Sequence, residues 1–288
     1  MTKKATNPID SLKIPHFIIV SSKICAFIST KLVTSYAAKL FTTPIKHKIP
    51  KREFDMDQKS IQKTIYIPSI DKNIVTYEYG KNERKILLVH GWSGRGTQLF
   101  KIADELIKNG YSTVSFDAPA HGKSSGKSTI MSEFIASILE IEKQFGPFDF
   151  AIGHSLGGMS VLNAIKDGFQ VNKAIVIGSG DIVQDILDDF IAKLGLKQEI
   201  SERLRERFEE KYQIKMNDFS AYKAAQEVKI PVLVIHDNDD PEVPVKAGVH
   251  IHKHLKEGTL YLTEGLGHRK ILGNQNVIKK ILDFIKSN

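Results

Sequence analysis

The sequence predicts an α/β fold in which a mostly parallel central sheet carries helices on both faces. Short apolar segments alternate with helix-like segments over residues 85–177, and this alternation is typical of parallel strands joined by right-handed crossovers. The stretch G-H-S-L-G at residues 153–157 matches the pattern G-x-S-x-G and lies between such a strand and such a helix. With 288 residues, of which 41% are hydrophobic and 26% charged, the chain can bury a substantial core.

The N-terminal part of the chain predicts one amphipathic helix. Between Phe17 and Phe41, apolar residues recur every three or four positions, whereas Lys23, Lys31 and Lys39 fall on another face. Charged and hydroxyl side chains interrupt the run too often for a signal peptide or a transmembrane span. We expect the helix either to pack on the domain surface or to lie on a membrane with its lysines toward anionic lipid.

A proline-containing basic linker completes an N-terminal segment of residues 1–53, and residues 54–288 are assigned to the main domain. The main domain begins with two alternating segments, 61–67 and 74–79, that predict an antiparallel hairpin. Further strands are predicted at residues 85–90, 111–116, 148–152, 174–177, 231–236 and 259–263. Helices between them are predicted at residues 97–109, 129–145 and 159–165.

Residues 181–229 interrupt this alternation and contain only predicted helices, at 182–194, 200–212 and 219–225. An insertion after a strand end is where a helical lid would lie. Leu204 and Phe208 are candidates to line an apolar substrate pocket beneath it. The alternating charges of the same helix fit a solvated face equally well, and one amphipathic helix can serve both roles.

Ser155 is the candidate nucleophile. A strand that turns into a helix within about two residues holds the serine in a strained backbone conformation, and small residues are needed on both sides of the turn. Gly153 and Gly157 supply them. The N–H groups at the start of the following helix would stabilise an oxyanion formed by attack of the serine on a carbonyl.

A serine nucleophile needs a base and an orienting carboxylate, and both follow Ser155 in the chain. The predicted strand at 231–236 leads into D-N-D-D-P-E-V-P at residues 237–244, which supplies the carboxylates. The last short strand leads into E-G-L-G-H at residues 264–268, where flanking glycines let the loop fold His268 back toward the serine. Along the chain, the candidate nucleophile therefore comes first, the acid second and the histidine last.

These motifs resemble the α/β-hydrolase superfamily over residues 61–288. H-G-W at residues 90–92 is similar to its oxyanion loop, D-A-P-A-H-G-K-S at 117–124 to its D-x-P-G-x-G-x-S turn, and G-L-G-H at 265–268 to its histidine loop. The resemblance implies Ser155 as nucleophile, His268 as general base and acid, and Asp240 as the orienting carboxylate. It also implies that the backbone N–H groups of Trp92 and Leu156 form the oxyanion hole.

The choice of acid has two alternatives. Asp237 stands where the family usually has glycine, which leaves the register of its loop open, and Asp239 is the second candidate. Asp181 is the third, because some family members place the acid after the preceding strand.

Other classes of site are not expected. The net charge of +8 comes without a basic stripe interleaved with aromatic residues, so we expect no nucleic-acid partner. Cys25 is the only cysteine and fits a reducing compartment. The cluster His250, His252 and His254 has no nearby carboxylate or cysteine in the sequence, so no metal is expected, and a P-loop reading fails because position 121 is histidine.

The sequence therefore predicts a cytoplasmic serine hydrolase, with the N-terminal helix as a candidate peripheral membrane contact. It would cleave a small-molecule ester or thioester through an acyl-enzyme, without a cofactor. An acyltransferase, in which an alcohol, amine or thiol replaces water, fits the same residues. A non-catalytic binding module on this fold would be expected to lack a member of the triad, and none is missing from the sequence.

Overall fold

The computed structural model describes residues 14–287, which divide into two compact units. One, the helical unit, contains residues 14–41 together with Gln184–Met216. The other, the sheet unit, contains Thr42–Val183 and residues 217–287. The domain boundaries predicted from the sequence follow chain order. These two units are instead defined by contacts between residues, and each combines segments that are distant in the chain.

The sheet unit is built on one eight-stranded sheet. Its strands are β1 (Ile61–Ile67), β2 (Lys72–Tyr79), β3 (Lys85–Val89), β4 (Ser112–Asp117), β5 (Phe150–His154), β6 (Lys173–Ile177), β7 (Val232–Asp237) and β8 (Gly258–Thr263). They lie in the order β1-β2-β4-β3-β5-β6-β7-β8. The β1–β2 and β2–β4 pairs are antiparallel and the others are parallel, which confirms the predicted mostly parallel sheet and its N-terminal hairpin.

Helices connect the strands and form the helical unit. Those of the described residues are α1 (His16–Ile28), α2 (Thr30–Thr42), α3 (Phe54–Lys59), α4 (Phe100–Lys108), α5 (Met131–Phe145), α6 (Leu156–Lys166), α7 (Val183–Lys193), α8 (Glu199–Tyr212), α9 (Ala221–Glu227), α10 (Lys246–His254), α11 (Gly267–Lys270) and α12 (Gln275–Lys286). One core of the sheet unit joins buried residues of β3, β5, β6 and β7 to the apolar faces of α4 and α12. Nearly all residues of β3 to β7 are buried because helices cover the sheet.

The register of the parallel strands brings the loops that follow them to one edge of the sheet. Gly153 on β5 pairs with Val89 on β3, and Ile177 on β6 pairs with Ile235 on β7. The next pair along that edge joins the last residues of β7 and β8. The loops that follow β3, β5, β6, β7 and β8 therefore begin beside one another, which is where ligands bind in open α/β sheets.

The helical unit has its own hydrophobic core. It is formed by residues that α1, α2, α7, α8 and the segment between α7 and α8 contribute: Val33, Ala37, Ala38, Leu187, Ile191, Leu194, Ile200, Leu204 and Phe208, with Ile18 and Cys25 packed against them. The ring of Phe41 contacts those of Phe190 and Phe208, with centroids 5.1 and 5.8 Å apart. The N-terminal and inserted helices thus form one unit although they are far apart in the chain.

The prediction of a single N-terminal helix is wrong in one respect, because the structure has two helices there, α1 and α2. Ser29 adopts an extended conformation, with φ −167° and ψ 137°, and separates α1 from α2. Serine can end a helix in this way because its side chain competes for backbone hydrogen bonds. Within residues 14–287, none of the helices combines the length and the apolar character needed to cross a bilayer.

Candidate active site

Ser155 lies in the tight turn between β5 and α6. Its φ of +55° is uncommon for a residue other than glycine and marks a strained turn. A Cβ on Gly153 would overlap the backbone of Gly157, and a Cβ on Gly157 would overlap the carbonyl oxygen of Val89. Both glycines are therefore required by close approach of the backbone. The sequence predicted this turn and the need for both residues.

The side chains of His268 and Asp240 form a buried hydrogen-bonded pair. Nδ1 of His268 donates to Oδ2 of Asp240 at 2.7 Å, while Oδ1 accepts from the backbone N–H groups of Glu242 at 2.8 Å and Val243 at 2.9 Å. Burial alone would raise the pKa of Asp240, but the contact with His268 and the two backbone donors outweigh burial, so the pKa lies below its ordinary 3.8. Asp240 is thus a carboxylate at neutral pH, and Nε2 of His268 is the nitrogen left to accept a proton.

His154, which directly precedes the serine, positions His268. Its Nε2 donates to the backbone carbonyl of His268 at 2.9 Å, and the two ring centroids are 4.6 Å apart. A Cβ on Gly178, after β6, would lie 3.2 Å from Nδ1 of His268 and 3.4 Å from Oδ2 of Asp240. Burial, with a further contribution from His268, lowers the pKa of His154 well below 6.5, so His154 is neutral. The structure therefore holds His268 against His154, the residue that directly precedes Ser155.

Trp92 and Leu156, whose backbone N–H groups are the predicted oxyanion donors, both belong to segments that pass beside Ser155. A Cβ on Gly91 would lie 2.9 Å from Cβ of Ser155, so the loop after β3 passes directly beside the serine. The N–H groups on either side of Trp92 donate to side chains, whereas that of Trp92 itself has no acceptor among the described residues. Leu156 is the first residue of α6, and the first N–H groups of a helix lack intrahelical partners. That these two N–H groups would bind an oxyanion stays a prediction.

Two buried histidines shape the loop that contains Trp92. Nδ1 of His90 donates to the Gly91 carbonyl at 2.7 Å, and its Nε2 accepts from the Ala118 N–H at 3.0 Å. Nε2 of His121 accepts from the Ser93 N–H at 3.0 Å. Burial lowers the pKa of His90 to about 4 and, together with the charge of His90, that of His121 to about 3. Both are neutral hydrogen-bonding groups at ordinary pH.

Asp117 fixes the turn after β4 against the same loop. Its Oδ1 accepts from the Gly96 N–H at 2.7 Å, and its Oδ2 accepts from the Tyr77 hydroxyl at 2.8 Å and the Lys123 N–H at 2.6 Å. Gly122 has a φ of +42°, and a Cβ there would overlap the Asp117 carboxylate. The motif at residues 117–124 therefore supports the site without a reacting group of its own.

Asp237 organises the loop that leads to His268. Its Oδ2 accepts from the Thr263 hydroxyl at 2.7 Å and the Leu266 N–H at 3.1 Å, and its Oδ1 accepts from the Gly267 N–H at 2.9 Å. Asp237 is fully buried. Sequence reasoning noted only that this position departs from the family's glycine. The structure shows that the carboxylate ties the carboxyl end of β7 to the histidine loop.

Replacing Asp237 with asparagine is expected to loosen this loop and to reduce the acid sensitivity of folding. Burial raises the pKa of Asp237, but the hydrogen bonds outweigh it and the pKa lies below 3.8. Such a carboxylate stabilises the fold fully above that value, and its contribution is lost as the pH falls through the lowered pKa. Urea unfolding of wild type and Asp237→Asn from about pH 3 to about pH 7 measures this contribution. The asparagine variant should lose less stability on acidification. Parallel curves for the two proteins would contradict the assignment.

The other two candidate acids bond elsewhere. Oδ2 of Asp239 accepts from the Gly265 N–H at 2.9 Å. Oδ2 of Asp181 accepts from Nδ1 of His250 at 2.5 Å, and its Oδ1 accepts from the Tyr222 N–H at 2.8 Å. Burial raises the pKa of Asp181 despite these contacts. Over residues 14–287, no three side chains of the metal-ligating types come together as a site.

Glu242 is a charged neighbour of the site that sequence reasoning did not single out. Its Oε2 lies 3.9 Å from Nε2 of His268, and its Oε1 lies 3.0 Å from Nε of Arg269. Glu242 and Arg269 are therefore charged side chains next to the imidazole. Glu242 follows Asp240 by two residues in the loop after β7, and this proximity in the sequence was the signal that could have found it.

Leu204 and Phe208 lie in the core of the helical unit. Leu204 is fully buried and Phe208 is 3% exposed. Their neighbours there come from α2, α7 and α8. A truncation at either position would leave a cavity in this core, so a loss of stability is expected whether or not substrate preference changes. Their role in a substrate pocket stays a prediction.

A model of the alpha/beta hydrolase family matches residues 86–274. This match extends from β3 to the segment after α11 and so includes the serine turn, the acid loop and the histidine loop. No curated protein matches the sequence.

Solved structures show the same fold at low sequence identity. An esterase from Exiguobacterium antarcticum is 16% identical, with a TM-score of 0.61, and the match covers 76% of this chain and 97% of the esterase. A bromoperoxidase from Bacillus anthracis is 17% identical, with a TM-score of 0.61, over 78% of this chain and 99% of that one. The thioesterase domain from the curacin biosynthetic pathway is 15% identical, with a TM-score of 0.58, over 79% of this chain and 99% of the domain. These structural matches establish the fold. At sequence identities this low they leave the reaction open.

Proposed function

Because the chain belongs to the alpha/beta hydrolase family, we propose that it is a serine hydrolase that cleaves a carboxylic ester or thioester. The observation that carries this proposal is the hydrogen-bonded Asp240–His268 pair, whose histidine contacts His154 directly before the strained residue Ser155. Nucleophile, base and orienting acid are the groups that acyl transfer requires. The esterase and thioesterase among the similar structures belong to the same class of reaction.

In the proposed first half-reaction, Oγ of Ser155 attacks the substrate carbonyl while Nε2 of His268 takes the hydroxyl proton. The negative charge moves to the carbonyl oxygen, where the N–H groups of Trp92 and Leu156 would stabilise it. His268 then gives its proton to the leaving alkoxide or thiolate as the bond to the acyl carbon breaks. The alcohol or thiol leaves, and the acyl group remains on Ser155.

In the second half-reaction, water attacks the acyl-enzyme and His268 takes one of its protons. Collapse of the tetrahedral intermediate releases the carboxylic acid as the proton returns to Oγ of Ser155. Asp240 stabilises the imidazolium that forms in each half and keeps Nδ1 as the protonated nitrogen in the resting state. An alcohol, amine or thiol in place of water would make the same cycle an acyl transfer.

The proposal is tested with a fluorophosphonate probe on the purified full-length chain, followed by a series of p-nitrophenyl esters of increasing acyl length and matching thioesters. We expect the probe to label native protein on the peptide that contains Ser155, and heat-denatured protein to remain unlabelled. Product analysis with added alcohols and thiols distinguishes hydrolysis from acyl transfer. Native protein that neither takes up the probe nor turns over any ester or thioester would refute the proposal.

A further inference from the structure

Helix α1 carries an apolar stripe that no part of the described chain covers. Its members are Phe17, Val20, Ile24, Phe27 and Ile28, which are 71%, 40%, 55%, 93% and 66% exposed. At 100° per residue they fall within an arc of about 100° on one side of the helix. Leu32, on α2, is another exposed apolar side chain of the helical unit, at 43% exposure. Exposed apolar surface concentrated in this way marks an interaction site.

The opposite side of α1 already packs inside the helical unit. Ser22 is fully buried, and Ile18 and Cys25 pack against the core of the unit. The hydroxyl of Ser22 donates to the Ile18 carbonyl at 2.8 Å, so this polar group is satisfied while buried. A serine, a cysteine and one isoleucine thus face inward while both phenylalanines of the helix face outward. Packing of the unit does not account for the outward stripe.

The charge of the surrounding chain indicates the partner. The first fifty residues contain eight lysines and no arginine, and their only acidic residue is Asp10, although the whole chain has a net charge of just +8. Almost all of the excess positive charge is therefore concentrated in the segment that includes the apolar stripe. Lys23 lies on α1 itself and Lys31 at the start of α2.

We propose that α1 docks on an anionic phospholipid surface. The helix would lie in the plane of the membrane, with its five apolar side chains at the boundary between headgroups and acyl chains and the lysines near lipid phosphates. Thirteen residues of α-helix extend only about 20 Å, so docking on one leaflet fits the helix, whereas a span does not. A second copy of this chain fits less well, because pairing the stripes would bring two strongly cationic segments together.

The proposal is independent of the catalytic chemistry, so its test measures binding alone. Full-length protein is sedimented with vesicles of phosphatidylcholine or of an equimolar mixture of phosphatidylcholine and phosphatidylglycerol. We expect strong binding to the anionic vesicles, weaker binding to the neutral ones, and release as salt is raised, because ions screen the lysines from the lipid. Phe17→Ser/Phe27→Ser should lower the partition coefficient at least about tenfold.

The matched control is Ile45→Ser/Ile61→Ser. These two isoleucines are 65% and 58% exposed and lie outside α1, so the control removes similar exposed apolar surface elsewhere. We expect it to bind vesicles as the wild type does. Equal loss in both double variants, no loss in the α1 variant, or equal binding to neutral and anionic vesicles would overturn the proposal. So would gel filtration that shows a wild-type dimer converted to a monomer by Phe17→Ser/Phe27→Ser without any vesicle binding.

Discussion

Replacing Ser155 with alanine is expected to abolish fluorophosphonate labelling and to lower kcat for ester hydrolysis by about ten thousand-fold to a million-fold. The hydroxyl is the only group on the side chain that can form the acyl-enzyme. His268, its carboxylate partner and the backbone N–H donors all remain in the variant. Substrate binding should therefore persist while turnover is lost, which separates a catalytic role from a role in shaping the site.

The fold should survive this substitution. Ser155 already has a positive φ, and alanine meets the same backbone strain there, so the change adds little to the cost of the turn. Loss of the serine hydroxyl opens no core cavity. We therefore expect the free energy of unfolding to stay within about 0.5 kcal/mol of the wild-type value. Ser128→Ala, at an exposed serine in another loop, is the matched control and should retain full activity. Undiminished turnover in Ser155→Ala would exclude the proposed mechanism.

Local signals explain why much of this arrangement could be predicted from the sequence. The apolar runs that became β3, β5, β6 and β7 are typical of strands buried on both faces. The pattern G-x-S-x-G with a strand before it and a helix after it requires the turn that the structure has, because any Cβ at either glycine meets backbone. Once the strand order is fixed, the loops with the acid and the histidine reach the same sheet edge.

Features that depend on contacts between distant segments could not be predicted. Nothing local indicates that Asp237 would bind the Leu266 and Gly267 N–H groups, because those partners lie almost thirty residues away in the chain. The apolar spacing of residues 17–41 predicts a helix but not which of its sides faces inward. The inward side of α1 includes the polar residue Ser22, whose hydroxyl is hydrogen-bonded to the Ile18 carbonyl. The break at Ser29 was missed because one extended residue hardly disturbs a helical pattern of apolar positions.

The choice among the acids is the part of the site that the sequence left open, and it gives the second large expected effect. Asp240→Asn should lower kcat by about ten thousand-fold, by analogy with the same change in the Ser-His-Asp template. Its amide oxygen can still accept from the Glu242 and Val243 N–H groups, so the loop should keep its shape. Its NH₂ group would then face Nδ1 of His268, and a donor there favours the tautomer in which Nδ1 is the acceptor and Nε2 carries the proton.

In that tautomer His268 cannot take the proton of Ser155, and no carboxylate stabilises the imidazolium, so the loss should appear in kcat much more than in KM. Asp239→Asn is the matched control, one residue away in the same loop, because its carboxylate accepts from the Gly265 N–H, whereas the imidazole bonds to Asp240. We expect that variant to lose little activity. The measurement is kcat and KM for one ester in wild type and both variants, with thermal unfolding recorded for each. A crippled Asp239→Asn beside a nearly normal Asp240→Asn would show that the hydrogen bond between Asp240 and His268 is not the one that supports catalysis.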